Sequence, residues 1–323
     1  MRTPSSLLAE RWQPSAVVVR RAALAALVMS IVIVVTGGAV RLTASGLGCT
    51  TWPSCTGESL TPTPEMGLHG VIEFTNRMLT YVLCAAIGWA ILAARCALPW
   101  RRSLTRLGWA QFWLVMSNAV IGGITVLTGL NPYTVAVHLI SAMALVWVAT
   151  LMWERSKEGD GAPRPSVARP ITQLAYVLVG VVGLLVAAGT LVTGAGHHPG
   201  TPTDNRMVPR IPLDYDRLAQ VHADLAFVSV GLAVAVLFVF AAVKVPPAAR
   251  ARARELLAVL LVQGVLGFVQ YFTHVPELLV GVHMLGATLT WIAALRIPLA
   301  LRTRTQEPAG APLPDRTPAA AAV

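Results

Sequence analysis

Eight stretches of this sequence are apolar and long enough to cross a lipid bilayer, and they constrain the fold more than any other feature. Each has about 20 predominantly apolar residues, the length that spans the hydrocarbon core. Because lipid cannot hydrogen-bond an open backbone, all eight must be helices, which predicts an all-α, polytopic membrane protein. The predicted spans are residues 22–40, 68–94, 104–128, 133–153, 171–193, 218–242, 254–273 and 278–301.

Charge supports the same class of protein. Hydrophobic residues make up 55% of the chain and charged residues only 12%, a balance that excludes an ordinary soluble domain. The formal net charge of +10 does not indicate nucleic-acid binding. The basic residues lie in short runs between apolar spans, where lipid headgroups and membrane topology account for them.

The distribution of arginine predicts the orientation in the membrane. The N-terminus, the C-terminus and the loops after the second, fourth and sixth spans are rich in Arg and Lys, whereas the other loops are poor in them. Basic loops stay in the cytoplasm. We therefore expect a multi-pass protein of the cell membrane with both termini cytoplasmic, and with the loops at 41–67 and 194–217 outside.

Four histidines recur near the outer starts of the even-numbered spans: His69, His138, His222 and His283. A polar side chain that can ligate a metal is costly inside a membrane and indicates a functional site. Two pairs in matching places predict two equivalent sites, and a metal porphyrin is the simplest occupant of such a pair. The alternative for each single histidine is a hydrogen bond to a carbonyl of a neighbouring helix.

The two halves of the chain also repeat each other. Residues 120–128 (VIGGITVLT) align without a gap on residues 265–273 (VLGFVQYFT), and the same register places His138 on His283. Four spans per half make the repeats parallel, which predicts two pseudo-symmetric four-helix bundles side by side. The predicted organisation is an N-terminal cytoplasmic tail 1–21, a first bundle 22–153, a cytoplasmic linker 154–170, a second bundle 171–302 and a disordered cytoplasmic tail 303–323.

A family resemblance rests on the first outer loop and the helix after it. The segment VTGGAVRLTASGLGCTTWPSCTG from Val35 to Gly57, followed by EFTNR from Glu73 to Arg77, resembles the heme A synthase family of respiratory membranes. The resemblance implies oxidation of the methyl group at porphyrin position 8 of heme O to the formyl group of heme A, which cytochrome oxidases need. It also implies a heme b in the second bundle and the substrate heme O in the first. Heme O synthase, cytochrome oxidase assembly proteins and membrane lipids are candidate partners.

One residue departs from the family pattern. The usual Glu-x-x-His-Arg reads Glu-x-x-Asn-Arg here, so that Asn76 stands where a ligand histidine is expected. Positions 69, 73 and 76 share one helix face. His69 also matches His222 of the other half in the order of the sequence, so we expect His69 to replace the missing ligand and Asn76 to hydrogen-bond substrate or water.

The resemblance assigns further roles. Glu73 is expected to stabilise positive charge that develops at the porphyrin methyl group, or to accept a proton from attacking water. The alternative is a structural ion pair with Arg77, one turn further on. Arg41 and Arg77 are expected to bind heme propionates, or only to anchor helix ends. The expected set is Glu73, His69 and His138 for catalysis, with His69 and His138 as axial iron ligands in the first bundle and His222 and His283 in the second.

Two cysteines lie in the first outer loop. Cys49 and Cys55 fit the family's C-x-x-W-P-x-C type of pattern, and an oxidising compartment favours a disulfide between them. A transient redox pair is the alternative.

Two other functions fit part of the pattern. A plain di-heme b electron carrier needs the four histidines but has no use for Glu73. A transporter built from parallel repeats predicts no bound porphyrin.

Overall fold

The structure is a computed structural model that describes residues 9–201 and 208–305. Eight helices in these residues are long and apolar enough to span a membrane, which confirms the predicted all-helical, multi-pass fold. They are α1 Ala16–Leu42, α2 Gly67–Cys96, α3 Arg102–Leu127, α4 Pro132–Arg155, α5 Arg169–Ala195, α6 Tyr215–Ala242, α7 Pro247–Phe272 and α8 Glu277–Ala300.

The helix ends lie within a few residues of the predicted spans, except at the starts of α1 and α7. Both helices begin earlier because their first two turns include arginines, which an apolar window leaves out but which favour helix. Polar caps fix several starts. The side chains of Ser15, Asn131 and Asp214 each accept a backbone N–H of the first turn of the helix that follows them.

Strand structure in the described residues is confined to two short segments. β1 (Arg164–Pro165) pairs antiparallel with β2 (Arg302–Thr303). Residue 303 of the predicted disordered tail is therefore paired with the predicted linker. The rest of that tail beyond residue 305, and residues 1–8 of the predicted N-terminal tail, lie outside the described residues.

Each half of the chain forms its own ring of four helices. In the first half the neighbours are α1–α2, α2–α3, α3–α4 and α4–α1, and in the second half they are α5–α6, α6–α7, α7–α8 and α8–α5. The halves meet through α1–α8, α4–α5 and α4–α8. A twofold axis that exchanges the halves converts α1–α8 into α5–α4 and maps α4–α8 onto itself, so the seam has the contacts of paired repeats.

Buried apolar side chains form three clusters, one inside each half and one along the seam. The seam cluster joins α1 and α4 to α8 through Val34, Met143 and Ile292, among others. The indole of Trp291 on α8 adds a hydrogen bond of 3.1 Å to the carbonyl of Met143. The site-bearing bundles are therefore fixed to one another by packing.

We name the end of the bundle with residues 43–66, 196–201 and 208–214 the outer end, after its predicted orientation, and the opposite end the inner end. At the inner end, Arg296 of α8 is 7% exposed. Its guanidinium donates to Glu154 of α4 at 2.8 Å and to Glu255 of α7 at 2.7 Å. Because Glu154 belongs to the first half, this ion cluster crosses the seam.

Arg296→Met should destabilise the protein by about 3 kcal/mol, because it leaves two partly buried carboxylates without their shared cation. Arg252→Met is the matched control, since Arg252 also pairs with Glu255 at 2.7 Å but its side chain is 33% exposed. The control should cost less than about 1 kcal/mol. Thermal unfolding of the purified protein in detergent measures both, and equal losses would contradict the proposed difference.

Candidate functional site

The second half brings two of the predicted histidines together. His222 on α6 and His283 on α8 have ring centroids 6.3 Å apart and ring planes at 64°. The Nδ1–H of His222 donates to the carbonyl of Leu185 at 3.1 Å, which leaves Nε2 available as a ligand. Metal–imidazole bonds are about 2 Å long, so one metal ion fits between rings at this separation. A porphyrin iron with two axial imidazoles is compatible with this pair.

Glycines on the neighbouring helices make room for these rings. A Cβ atom at Gly122 of α3 would lie 2.9 Å from Cε1 of His138, and one at Gly267 of α7 would lie 3.7 Å from Cε1 of His283. Gly122 and Gly267 occupy the same place in the sequence repeat. Equivalent glycines therefore lie beside equivalent histidines in the two halves.

His138 and His283 occupy the same position along their helices, counted from either helix end. His138 lies six residues after the first residue of α4 and 17 before its last. His283 lies six residues after the first residue of α8 and 17 before its last. His138 and His283 are therefore at equivalent depths, as the sequence register predicts.

His69 and His222 do not occupy the same position along their helices. His222 lies seven residues after the first residue of α6 and 20 before its last. In α2 it is Asn76 that lies 20 residues before the end and nine after the start, whereas His69 lies two after the start and 27 before the end. Counted from the inner ends of the helices, His222 is therefore level with Asn76 rather than with His69. His69 lies two turns, about 10 Å, closer to the outer end than the level of His222.

His69 occupies a polar environment at the start of α2. Its side chain is exposed, and Nδ1 lies 3.0 Å from the hydroxyl oxygen of Ser45 in the outer loop. Gly48 lies against the backbone of His69 and Gly70 so closely that a Cβ atom at position 48 would collide with it. His69 thus attaches the first turn of α2 to the outer loop. No motif in the sequence indicates Ser45 as its partner.

Asn76 and His138 instead carry buried polar atoms that the protein leaves unpaired. Asn76 Oδ1 and His138 Nδ1 are both buried and have no hydrogen-bond partner among the described residues. His283 Nδ1 is in the same state. Buried polar atoms are rarely left without a partner, and in native proteins such atoms call for an explanation. A bound group with polar or metal functions provides one in each half.

Glu73 lies on α2 between His69 and Asn76 and is 5% exposed. Its Oε2 accepts the backbone N–H of Cys49 at 2.6 Å, and its Oε1 accepts Nη2 of Arg77 at 2.5 Å. The structural ion pair considered above is therefore present. It does not exclude a chemical role, because an ionised, fixed carboxylate is also what charge stabilisation requires.

Arg77 continues this network into the outer loop. Its Nη1 donates to the carbonyls of Thr51 and Ser54, each at 3.1 Å. Cys49 and Cys55 are joined by a disulfide. The ring of Trp52, between them, lies against Gly123 of α3. The loop is consequently held to both α2 and α3 above the first bundle.

Arg41 also bonds to a loop. Its Nε donates to the carbonyl of His198 in the loop after α5 and its Nη2 to that of Thr193 in the last turn of α5, both at 2.9 Å, so an arginine of the first half binds the outer end of the second. Arg210 donates to the carbonyls of the same Thr193 and of Gly196, and burial lowers the pKa of Arg210. Binding of heme propionates by Arg41 or Arg77 stays a prediction.

The remaining outer histidines serve other contacts. Nε2 of His198 donates to the carbonyl of Val275 at 2.8 Å, and His197 packs edge-on against Tyr215. Among residues 9–201 and 208–305, no three His, Cys, Asp or Glu side chains form a group able to hold a metal ion by themselves. Two histidines in a bundle suit an iron that already has four equatorial ligands, as in a porphyrin.

The fold and these side chains define a multi-pass membrane protein with candidate sites inside two helix bundles. The chain belongs to the COX15-CtaA family of cytochrome oxidase assembly proteins, whose model matches residues 20–69 and 65–295. It is 30% identical to a heme A synthase of Azorhizobium caulinodans over 345 residues, covering 87% of this chain and 93% of that protein. It is also 30% identical to a heme A synthase of Lysinibacillus sphaericus over 229 residues, covering 68% of this chain and 70% of that one.

Peptides that contain Cys49 and Cys55 should be found linked by mass spectrometry without reduction, because the outer loop holds the two residues together. Cys84 is the internal control, since it is a free and only half-buried thiol. It should react with an alkylating reagent in the detergent-unfolded protein before any reductant is added. Alkylation of Cys49 and Cys55 under the same conditions, in a sample unfolded from an active preparation, would show that the pair is not a stable disulfide.

Proposed function

We propose that this protein is a heme A synthase, which oxidises the C8 methyl group of heme O to the formyl group of heme A for cytochrome oxidase. The observation that carries the proposal is a set of polar side chains in the first bundle of a chain of this family: the buried Glu73, and the unpaired buried atoms of Asn76 and His138. A histidine pair in the second bundle supplies a separate place for a resident cofactor.

The second bundle would hold heme b through His222 and His283. Their facing rings, the Leu185 carbonyl that orients His222 and the small Gly267 behind His283 all support this assignment. Heme b between two imidazoles supplies one-electron transfer. The protein's part is to hold both rings at a fixed distance in surroundings of low polarity, where axial ligation sets the potential.

The first bundle would bind the substrate heme O, with His138 as an iron ligand. Gly122 leaves the space beside His138, as Gly267 does beside His283. Glu73 lies one turn from Asn76 on α2, so that its carboxylate faces the same region. Held by Cys49 and Arg77, it would stabilise positive charge at the reacting methyl group or accept a proton from water there.

The proposed setting is the cell membrane, with both termini in the cytoplasm. Inner-end helix termini rich in arginine support that orientation. Both heme sites then lie nearer the outer leaflet. Heme O synthase would deliver the substrate, and proteins of cytochrome oxidase assembly would receive heme A. A plain di-heme b carrier is less well supported, because the level that holds His222 in one half holds Asn76 in the other.

His222→Ala and His283→Ala should each remove the low-spin heme b spectrum of the purified protein, because one axial imidazole alone does not produce that spectrum. His197→Ala is the control. His197 lies in an outer loop against Tyr215 and should leave the spectrum unchanged. Visible absorption spectra of the three variants test the assignment, which fails if both of the first two retain the full signal.

Glu73→Gln should lower heme A formation by about 100-fold, the usual order for loss of a general base or of charge stabilisation. Heme O or a hydroxylated intermediate should accumulate, while the heme b spectrum stays. Glu65→Gln is the control because Glu65 is exposed at the outer end. Extraction and chromatography of membrane hemes give the result. Normal heme A in Glu73→Gln would leave Glu73 with only its structural contacts to the loop.

A further inference from the structure

The two proposed heme sites differ in one ligand position, and this difference has a chemical meaning. The equivalent depths in the helices map His283 onto His138, and His222 onto Asn76. The pair His222–His283 therefore corresponds to Asn76–His138. The following inference rests on the proposed function, since it concerns how the first bundle binds heme O.

We propose that heme O is bound through a single protein ligand on iron, His138, and that Asn76 borders an open sixth coordination position. That position would take a small exogenous ligand such as water, dioxygen or carbon monoxide. The first bundle is then an open site for chemistry, whereas the second bundle is a closed site for electron transfer.

The ligand chemistry of Asn76 supports an open position. Imidazole nitrogen suits iron, whereas amide oxygen suits hard cations such as Mg²⁺ and Ca²⁺. Asn76 is thus a poor axial ligand at a level where the other half offers a good one. Its Oδ1 is nevertheless buried and unpaired among the described residues. An amide in this place is suited to hydrogen-bond a small molecule on the iron, the kind of distal contact that decides whether a heme binds a ligand or only transfers electrons.

The contacts of His69 oppose the simplest competing arrangement, in which His69 is the second axial ligand of heme O. His69 is about 10 Å further out along α2 than Asn76, and the contact of its Nδ1 with Ser45 holds the ring at that outer level. The backbone at His69 is also held by the close approach of Gly48. To ligate an iron at the level of His138, α2 would have to slide inward by about two turns. The disulfide loop opposes this, because it is bonded to Glu73 and Arg77 of the same helix.

The test uses the full-length protein, purified with its heme b, reduced, and titrated with heme O and then with carbon monoxide. Carbon monoxide binds readily to iron with one protein ligand and poorly to iron held between two imidazoles. We expect the added heme O to bind and to form one carbon monoxide complex per protein, seen as a shift of its Soret band, while the heme b band does not move.

Three variants make the test specific. Asn76→His introduces the ligand found in the other half and should weaken carbon monoxide binding at least tenfold while giving a low-spin spectrum. Asn76→Ala is the size control and should keep carbon monoxide binding. His69→Ala should also keep it. Retention of the heme b spectrum shows that each variant is folded.

Two results would overturn the inference. The first is wild-type protein whose bound heme O is low-spin and unreactive to carbon monoxide, and becomes reactive only in His69→Ala, because His69 would then be the sixth ligand. The second is failure of heme O to bind to wild-type protein that contains its heme b, which would overturn this inference and the proposed function together. The first result leaves the proposed function intact, so the two failures are distinguishable.

Discussion

Backbone hydrogen bonding in lipid determines most of this structure. In hydrocarbon each amide must be paired within its own segment, so that every span is a helix and only side chains remain to build a site. A site between helices must then be lined by residues that face inward at one depth. The histidines at equivalent levels of α4 and α8, each with a glycine of the preceding helix beside it, meet that requirement.

The seam and the outer loops fix the two halves in relation to each other. At the inner end Arg296 joins carboxylates of both halves. At the outer end Arg41 of α1 bonds to one carbonyl in the last turn of α5 and one in the loop after it, and the backbone N–H of Gly46 donates to the carbonyl of Gly200 at 2.7 Å. The proposed electron transfer between two hemes would require a fixed separation, and a seam held by arginines at both ends would provide it.

The repeat gives both halves the same scaffold and different ligand chemistry. The rings of His222 and His283 lie edge to face, whereas the corresponding positions in the first half are Asn76 and His138. Among the described residues, Glu73 is the one buried carboxylate, and it lies in the first half, one turn from Asn76. In the function proposed here, a carboxylate and an open iron position suit a site that oxidises its heme. Two imidazoles belong in a site that keeps its heme.

The amino-acid sequence by itself determined the class of protein, the eight spans and the residue types of the site. The length of an apolar stretch is a local property of the sequence, and such a stretch in lipid must form a helix to pair its backbone groups. The equivalence of His138 in the first half and His283 in the second was also predictable, because the VxG repeat before each histidine aligns without gaps. Cys49 and Cys55 were predictable as a pair because both lie in one short outer loop.

The tertiary structure alone decided the level of the second ligand position. His69 and His222 match in sequence order, but order does not measure depth, and α2 begins further out than α6 relative to the site. The contacts of His69 with Ser45, and of Glu73 with the backbone of Cys49, join residues 24 positions apart in sequence. Such contacts depend on how a loop folds back over a helix, and no pattern along the chain records that path. For this physical reason the sequence determined which helices carry the site, and packing decided which side chains meet in it.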